Sequence, residues 1–144
     1  GHGRLVEQAM PGAEIWLDGG HNPGAGEAIA GVMADLEDRV SRPLFLVAGM
    51  LSTKDPVGFF RPFAGLARHV FTVPVFGSDA SRDPAELAAA ARTAGLSAEP
   101  VSGVRTALRL LAEGWRFEPP PRILICGSLY LAGDVLAQNG TPPV

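Results

Sequence analysis

The chain is 144 residues long, the size of one ordinary domain and too short for two comfortable ones. Hydrophobic residues make up 47% and charged residues 19%, with 15 acids against 12 bases. A core is therefore available, and a net charge of -3 invites neither nucleic acid nor an anionic membrane surface.

The longest apolar stretches, such as 44–48, fall far short of the ~20 residues that cross a bilayer. No charged-then-apolar leader opens the chain, and one cysteine, Cys126, cannot make an internal disulfide. The expectation is a single cytoplasmic domain, residues 1–144, in a reducing compartment.

In chain order, 4–10 and Glu14–Asp18 flank the turn dipeptide Pro11-Gly12, which predicts an antiparallel pair. Asn22-Pro23 then starts a helix, with Asn as N-cap and Pro at the first helical position. Ile29, Val32, Met33, Leu36 and Val40 recur in it at the spacing of one buried face. Residues 44–48 form a short apolar run ending at Gly49, as in a strand buried on both faces. Further elements are a helix over 56–66, a strand over 69–75, and a helix that opens at Asp83-Pro84-Ala85-Glu86 in a capping-box variant and stops at Gly95. A weaker strand over 98–101 follows, then a helix carrying Val104, Leu108, Leu111 and Trp115. A last strand over 122–126 leads through Gly127-Ser128 into a final helix that fades at Asn139-Gly140. Repeated strand-then-helix units predict a doubly wound α/β fold, Rossmann-like. Its sheet is mostly parallel, of about six strands, with one antiparallel strand at the N-terminal hairpin and helices on both faces.

In such sheets ligands gather beyond the carboxyl ends of the strands. The loop Asp18-Gly19-Gly20-His21-Asn22-Pro23 concentrates the most chemistry there. It joins a carboxylate at a strand end, two residues without Cβ, an imidazole, and a helix N-terminus suited to an anion. The plain alternative is a sharp turn in which Asp18 caps a nearby amide. Lys54, the only lysine beside eleven arginines, sits in a second strand-end loop, where its ammonium would offset a phosphate or carboxylate. Ser128 is placed to N-cap the last helix, Cys126 reads as a small core residue, and His69 has no evident partner.

Other motifs fail. Gly24 and Gly26 imitate a dinucleotide fingerprint, but position 29 is Ile and the pair lies inside the helix. There is no Gly-Lys-Ser/Thr phosphate loop, no metal-ligand cluster, no receiver-type set of acids and lysine, and no Gly-x-Ser-x-Gly elbow.

Leu17-Asp18-Gly19-Gly20-His21-Asn22-Pro23 after a strand, Gly3-Arg4-Leu5 about a dozen residues earlier, and Ile125-Cys126-Gly127-Ser128-Leu129-Tyr130-Leu131 near the end together resemble one family. It is the C-terminal domain of folylpolyglutamate synthase / dihydrofolate synthase, in the Mur ligase superfamily. The resemblance implies an ATP-dependent ligase that joins L-glutamate to dihydropteroate or tetrahydrofolate through an acyl phosphate. It also implies that ATP and Mg2+ are held largely by a central ATPase domain absent from these residues, so the isolated domain is expected to be inactive.

Position by position, the resemblance assigns Arg4 to ATP phosphates and Asp18 to the nucleotide ribose. It places His21 near the incoming glutamate and the acyl phosphate, as the catalytic-site histidine, and gives Ser128 to glutamate binding. For Lys54 it leaves a possible phosphate or carboxylate contact, and it implies no metal ligand in this domain. One departure is the lead-in Gly1-His2-Gly3-Arg4, where the family has Pro-Gly-Arg. Two other readings stand beside this one: a peptidoglycan-type Mur ligase domain, and a non-catalytic binding module of flavodoxin-like shape.

Overall fold

In the computed structural model the described residues are 12–20, 22–51, 55–75, 81–114 and 119–127. They form five strands, β1 (Glu14–Asp18), β2 (Leu44–Ala48), β3 (His69–Thr72), β4 (Ala98–Pro100) and β5 (Arg122–Cys126). Four helices join them, α1 (Pro23–Arg39), α2 (Pro56–Phe60), α3 (Pro84–Thr93) and α4 (Val104–Gly114). The sheet order is β1-β5-β2-β3-β4 and every pairing is parallel. The predicted antiparallel strand over 4–10 and the helix after Ser128 lie outside the described residues.

The topology explains the layers. Moving from β1 through β2 and β3 to β4, the chain advances in one direction across the sheet, and right-handed crossovers put α1, α2 and α3 on one face. The return from β4 to β5 reverses that direction, so α4 falls on the other face. The two cores follow this division. Ile29, Met33, Phe59, Phe60 and Leu87 pack with Leu44, Leu46 and Leu124 on one side. Val104, Leu108 and Leu111 pack with Phe45, Val47, Ile123 and Ile125 on the other. Both faces of β2 and β5 are thus covered, which is why they read as unbroken apolar runs rather than alternating ones.

Several boundaries differ from the expectation. The helix predicted over 56–66 gives way after Phe60 to a 3-10 turn, Arg61–Phe63, because Pro62 has no N–H and its ring crowds the preceding turn. The strand predicted over 69–75 stops pairing regularly at Thr72. Val73 N–H still donates to Ala48 O at 2.9 Å, but Pro74 has no N–H to continue the ladder. β4 is one residue shorter than the predicted 98–101. At α3, Asp83 accepts from Ala85 N–H at 2.9 Å, while Glu86 reaches Arg82 at 3.7 Å.

In α1 the buried stripe is Gly26, Ile29, Ala30 and Met33; Val32 and Val40 are exposed, so the predicted face was turned too far. His69 has partners after all. Nδ1 lies 2.7 Å from Ser97 Oγ and Nε2 lies 3.1 Å from Glu99 Oε1, both about thirty residues away in sequence and therefore invisible to local reading. No helix among the described residues is long and apolar enough to cross a membrane.

A charged network ties the amino ends of the central strands together. The Arg122 guanidinium, 2% exposed, donates from Nε to Glu14 Oε1 at 3.2 Å and from Nη2 to Val40 O at 3.2 Å. Arg42 takes the other Glu14 oxygen at 3.2 Å, and Glu37 accepts from Ser41 Oγ and from Arg42 N–H.

Partial burial pushes the Glu14 carboxyl up. Hydrogen bonds from Trp16 and Arg122, with the charges of Arg122 and Arg42, more than reverse this and hold it below the ordinary 4.5. Glu37 is also held low, chiefly by Ser41 and the Arg42 amide. A carboxylate whose folded pKa is depressed contributes stability above its unfolded value, and loses it as pH falls through the folded one. Thermal melts run at falling pH should therefore show the midpoint dropping below about pH 4.5. Glu14→Gln should flatten that drop, and an unchanged slope would show that the network does not sense pH.

Candidate functional site

The register pairs Asp18 with Cys126 and Ala48 with Cys126, so β1, β5 and β2 end level with one another. Their carboxyl ends form one rim. Gly49 N–H donates to Cys126 O at 3.2 Å, and a Cβ on Gly127 would lie 2.6 Å from Gly49 O. Gly127 also holds φ +99°, a left-handed backbone that side chains resist. The loops leaving β5 and β2 therefore touch backbone to backbone, which only glycine permits. This contact escaped sequence reading; the one signal for it was a glycine directly after each strand.

Beside Cys126, Asp18 is exposed and builds the turn out of β1. Its Oδ1 accepts the Gly20 N–H at 2.7 Å, so the plain reading of Asp18 as an amide cap is correct for that oxygen. Oδ2 has no partner among the described residues. The turn is tight: a Cβ on Gly20 would lie 2.6 Å from Ala25 Cβ and 3.1 Å from Asp18 Oδ1.

Asn22 then caps α1, accepting the Ala25 N–H at 2.8 Å, with Pro23 at the first helical position as expected. Asp55 caps α2 in the same way, accepting the Gly58 N–H at 2.8 Å. A Cβ on Gly58 would lie 2.9 Å from Pro23 Cγ, so the two helix starts adjoin. A groove of about 310 Å3 between them is lined by Pro23, Glu27, Gly58, Arg61 and Pro62.

Of the predicted site residues, the structure places Asp18. Arg4, His21, Lys54 and Ser128 lie outside the described residues. The described residues next in sequence to His21, Lys54 and Ser128, namely Gly20, Asn22, Asp55 and Gly127, are those just named.

Cys126 is fully buried at the rim's floor. Burial pushes its thiol well above its ordinary value, and the Asp18 charge adds to this, so it is a packing residue and no nucleophile. Among the described residues no three His, Cys, Asp or Glu side chains are grouped to hold a metal ion. A cavity of about 500 Å3 lies at the opposite, amino-terminal end of the sheet. Glu37 and Arg42, which line it, are already engaged with Ser41, Glu14 and each other, so the rim rather than this cavity is the candidate site.

Residues 3–129 match the family model described as Mur ligase, glutamate ligase domain. No curated protein matches the chain in a sequence comparison. Among solved structures, folylpolyglutamate synthase of Mycobacterium tuberculosis, complexed with ADP and AMPPCP, superposes with a TM-score of 0.71 at 24% identity over 90% of this chain. A bifunctional folylpolyglutamate synthase/dihydrofolate synthase from Yersinia pestis, with AMPPNP and Mn ion, gives 0.67 at 23% over 86%. A bifunctional enzyme with Mn, AMPPNP and L-glutamate bound gives 0.65 at 22% over 85%. This chain covers only 30%, 28% and 28% of those three proteins, and at such identities the likeness establishes the shared fold.

Proposed function

The chain belongs to the Mur ligase, glutamate ligase domain family, and from that premise we propose that it is the C-terminal domain of a cytoplasmic folylpolyglutamate synthase / dihydrofolate synthase. In this reading the parent enzyme transfers the γ-phosphoryl of ATP to a carboxylate of dihydropteroate or a folate, giving an acyl phosphate. The amine of L-glutamate attacks the acyl carbon, and orthophosphate leaves as the amide forms. ATP and a divalent ion sit mainly on the absent central ATPase domain, and Mg2+ supplies charge neutralisation of the phosphates there.

This chain's part is to close over the nucleotide and present the amino acid. Asp18 Oδ2 accepts from a ribose hydroxyl, while Oδ1 stays committed to the turn. Arg4 and Lys54 offset phosphate or carboxylate charge. His21 and Ser128 hold the glutamate near the start of α1, and positioning alone accounts for what His21 is asked to do.

The observation that carries the reading is Asp18 standing on one rim with Cys126-Gly127, where an oxygen-rich ligand meets a carboxylate oxygen that has no partner among the described residues, and a helix N-terminus. Asp18→Asn in the full-length parent should lower kcat/KM for ATP by about 10–150-fold, the range for a lost hydrogen bond to a charged group. The glutamate KM should move little. Unchanged kinetics would remove Asp18 from the site, and faster turnover with diaminopimelate than with L-glutamate would move the protein to the peptidoglycan branch.

A further inference from the structure

We propose that Ser81 is a positioning residue of the rim, acting through Val75 and Gly49 on the backbone that leaves β5. This rests on the reading above, that the rim is the working site, and adds what holds it in shape. The Ser81 hydroxyl accepts the Val75 N–H at 2.9 Å and lies 3.4 Å from Arg82 O, to which it donates. Val75 is buried, and Ser81 Oγ is the one acceptor its amide meets among the described residues. A buried amide left without an acceptor is costly, so the path of 73–75 depends on that hydroxyl.

Val75 carries the effect to the rim. A Cβ on Gly49 would lie 3.1 Å from Val75 Cγ2 and 3.0 Å from Val73 O, so the chain leaving β3 packs on the Gly49 backbone. Gly49 in turn meets Gly127, which directly follows Cys126, the register partner of Asp18. Ser81 also braces the chain leaving β2 from its far side. Leu51 and Ser81 pair as a single antiparallel bridge, and the Arg82 N–H donates to Met50 O at 2.7 Å.

The exits of β3, β2 and β5 are thus stacked in close contact, and neither Gly49 nor Gly127 has a side chain whose rotamer could absorb a shift. Close packing passes the displacement on. A rim moved slightly still binds its ligands but aligns the reacting groups less well, so turnover suffers before affinity does.

Two measurements on Ser81→Ala and Ser81→Thr test this. Amide exchange of the 144-residue chain, read by NMR, should be severalfold faster at Gly49, whose N–H donates to Cys126 O, in the alanine variant and near parental in the threonine one. In the full-length parent Ser81→Ala should lower kcat about tenfold while KM for ATP and for L-glutamate stays within about twofold, and Ser81→Thr should recover most of the loss. Val75→Ala keeps the hydrogen bond but loses the Gly49 contact, and it should lower kcat likewise. Faster exchange at Val75 with Gly49 unchanged would overturn the proposal. So would a parental kcat in Ser81→Ala or Val75→Ala, or a threonine variant as slow as the alanine one. Faster exchange at Gly49 in a protein whose parent cannot join glutamate to folate leaves the relay standing and removes the function.

Discussion

Gly26→Ala should destabilise the domain by about 2–3 kcal/mol, lowering the melting midpoint by on the order of 10 °C. Gly26 is buried where α1 crosses α2. A Cβ there would overlap the Phe59 carbonyl oxygen and lie 3.1 Å from the Phe59 carbonyl carbon and Cα. These are backbone atoms, so no rotamer change relieves the overlap; the helices must part, and with them Phe59, Phe60 and Phe63 in the core below. Working the other way, alanine is the better helix former by about 1 kcal/mol, which the overlap outweighs.

The same helix supplies the control. Around Gly31 nothing lies within 4 Å of the added atom, so Gly31→Ala should raise stability by up to about 1 kcal/mol. A Gly26→Ala protein melting at or above the parental midpoint would mean that α1 and α2 are not in backbone contact.

Arg122→Ala should cost about 3–5 kcal/mol, the largest loss expected of any single change described here. The guanidinium is sealed beneath the amino ends of the strands, and its removal takes a donor from Val40 O, leaves Glu14 Oε1 with the Trp16 indole alone, and opens a void. Arg122→Met should be milder. It fills most of the volume, and Glu14 keeps Arg42 at 3.2 Å and a half-open path to solvent. Chemical denaturation of both variants checks the order. A methionine variant less stable than the alanine one would contradict a loss made of void and lost pairing together.

The legible parts of this protein were those written in local chemistry. The Asn22-Pro23 start of α1, the Asp83-Pro84 start of α3 and the Gly95 stop are each decided by a capping side chain or a permissive backbone within four residues. All three appear as read. The apolar runs 44–48 and 122–126 were legible because burial on both faces leaves no polar position to confuse them. Less legible were limits imposed by a neighbour. Val32 follows the helical period, yet faces outward because α1 turns Ile29, Ala30 and Met33 to the core over β5 and β2. His69 lacked a partner only until β4 came alongside β3 and brought Ser97 and Glu99 to its ring.

For the candidate site the division is sharper. The residue types around Asp18 and the family they resemble could be read without coordinates, since hydrogen-bonding capacity, charge and turn geometry belong to the side chains and to a few adjacent peptides. That Asp18 stands level with Cys126 and that Gly127 rests on Gly49 are matters of strand order. Placing β5 between β1 and β2 joins residues more than seventy positions apart, and no local preference encodes that choice. The burial of two opposite apolar faces decides it, because only the assembled sheet satisfies both at once.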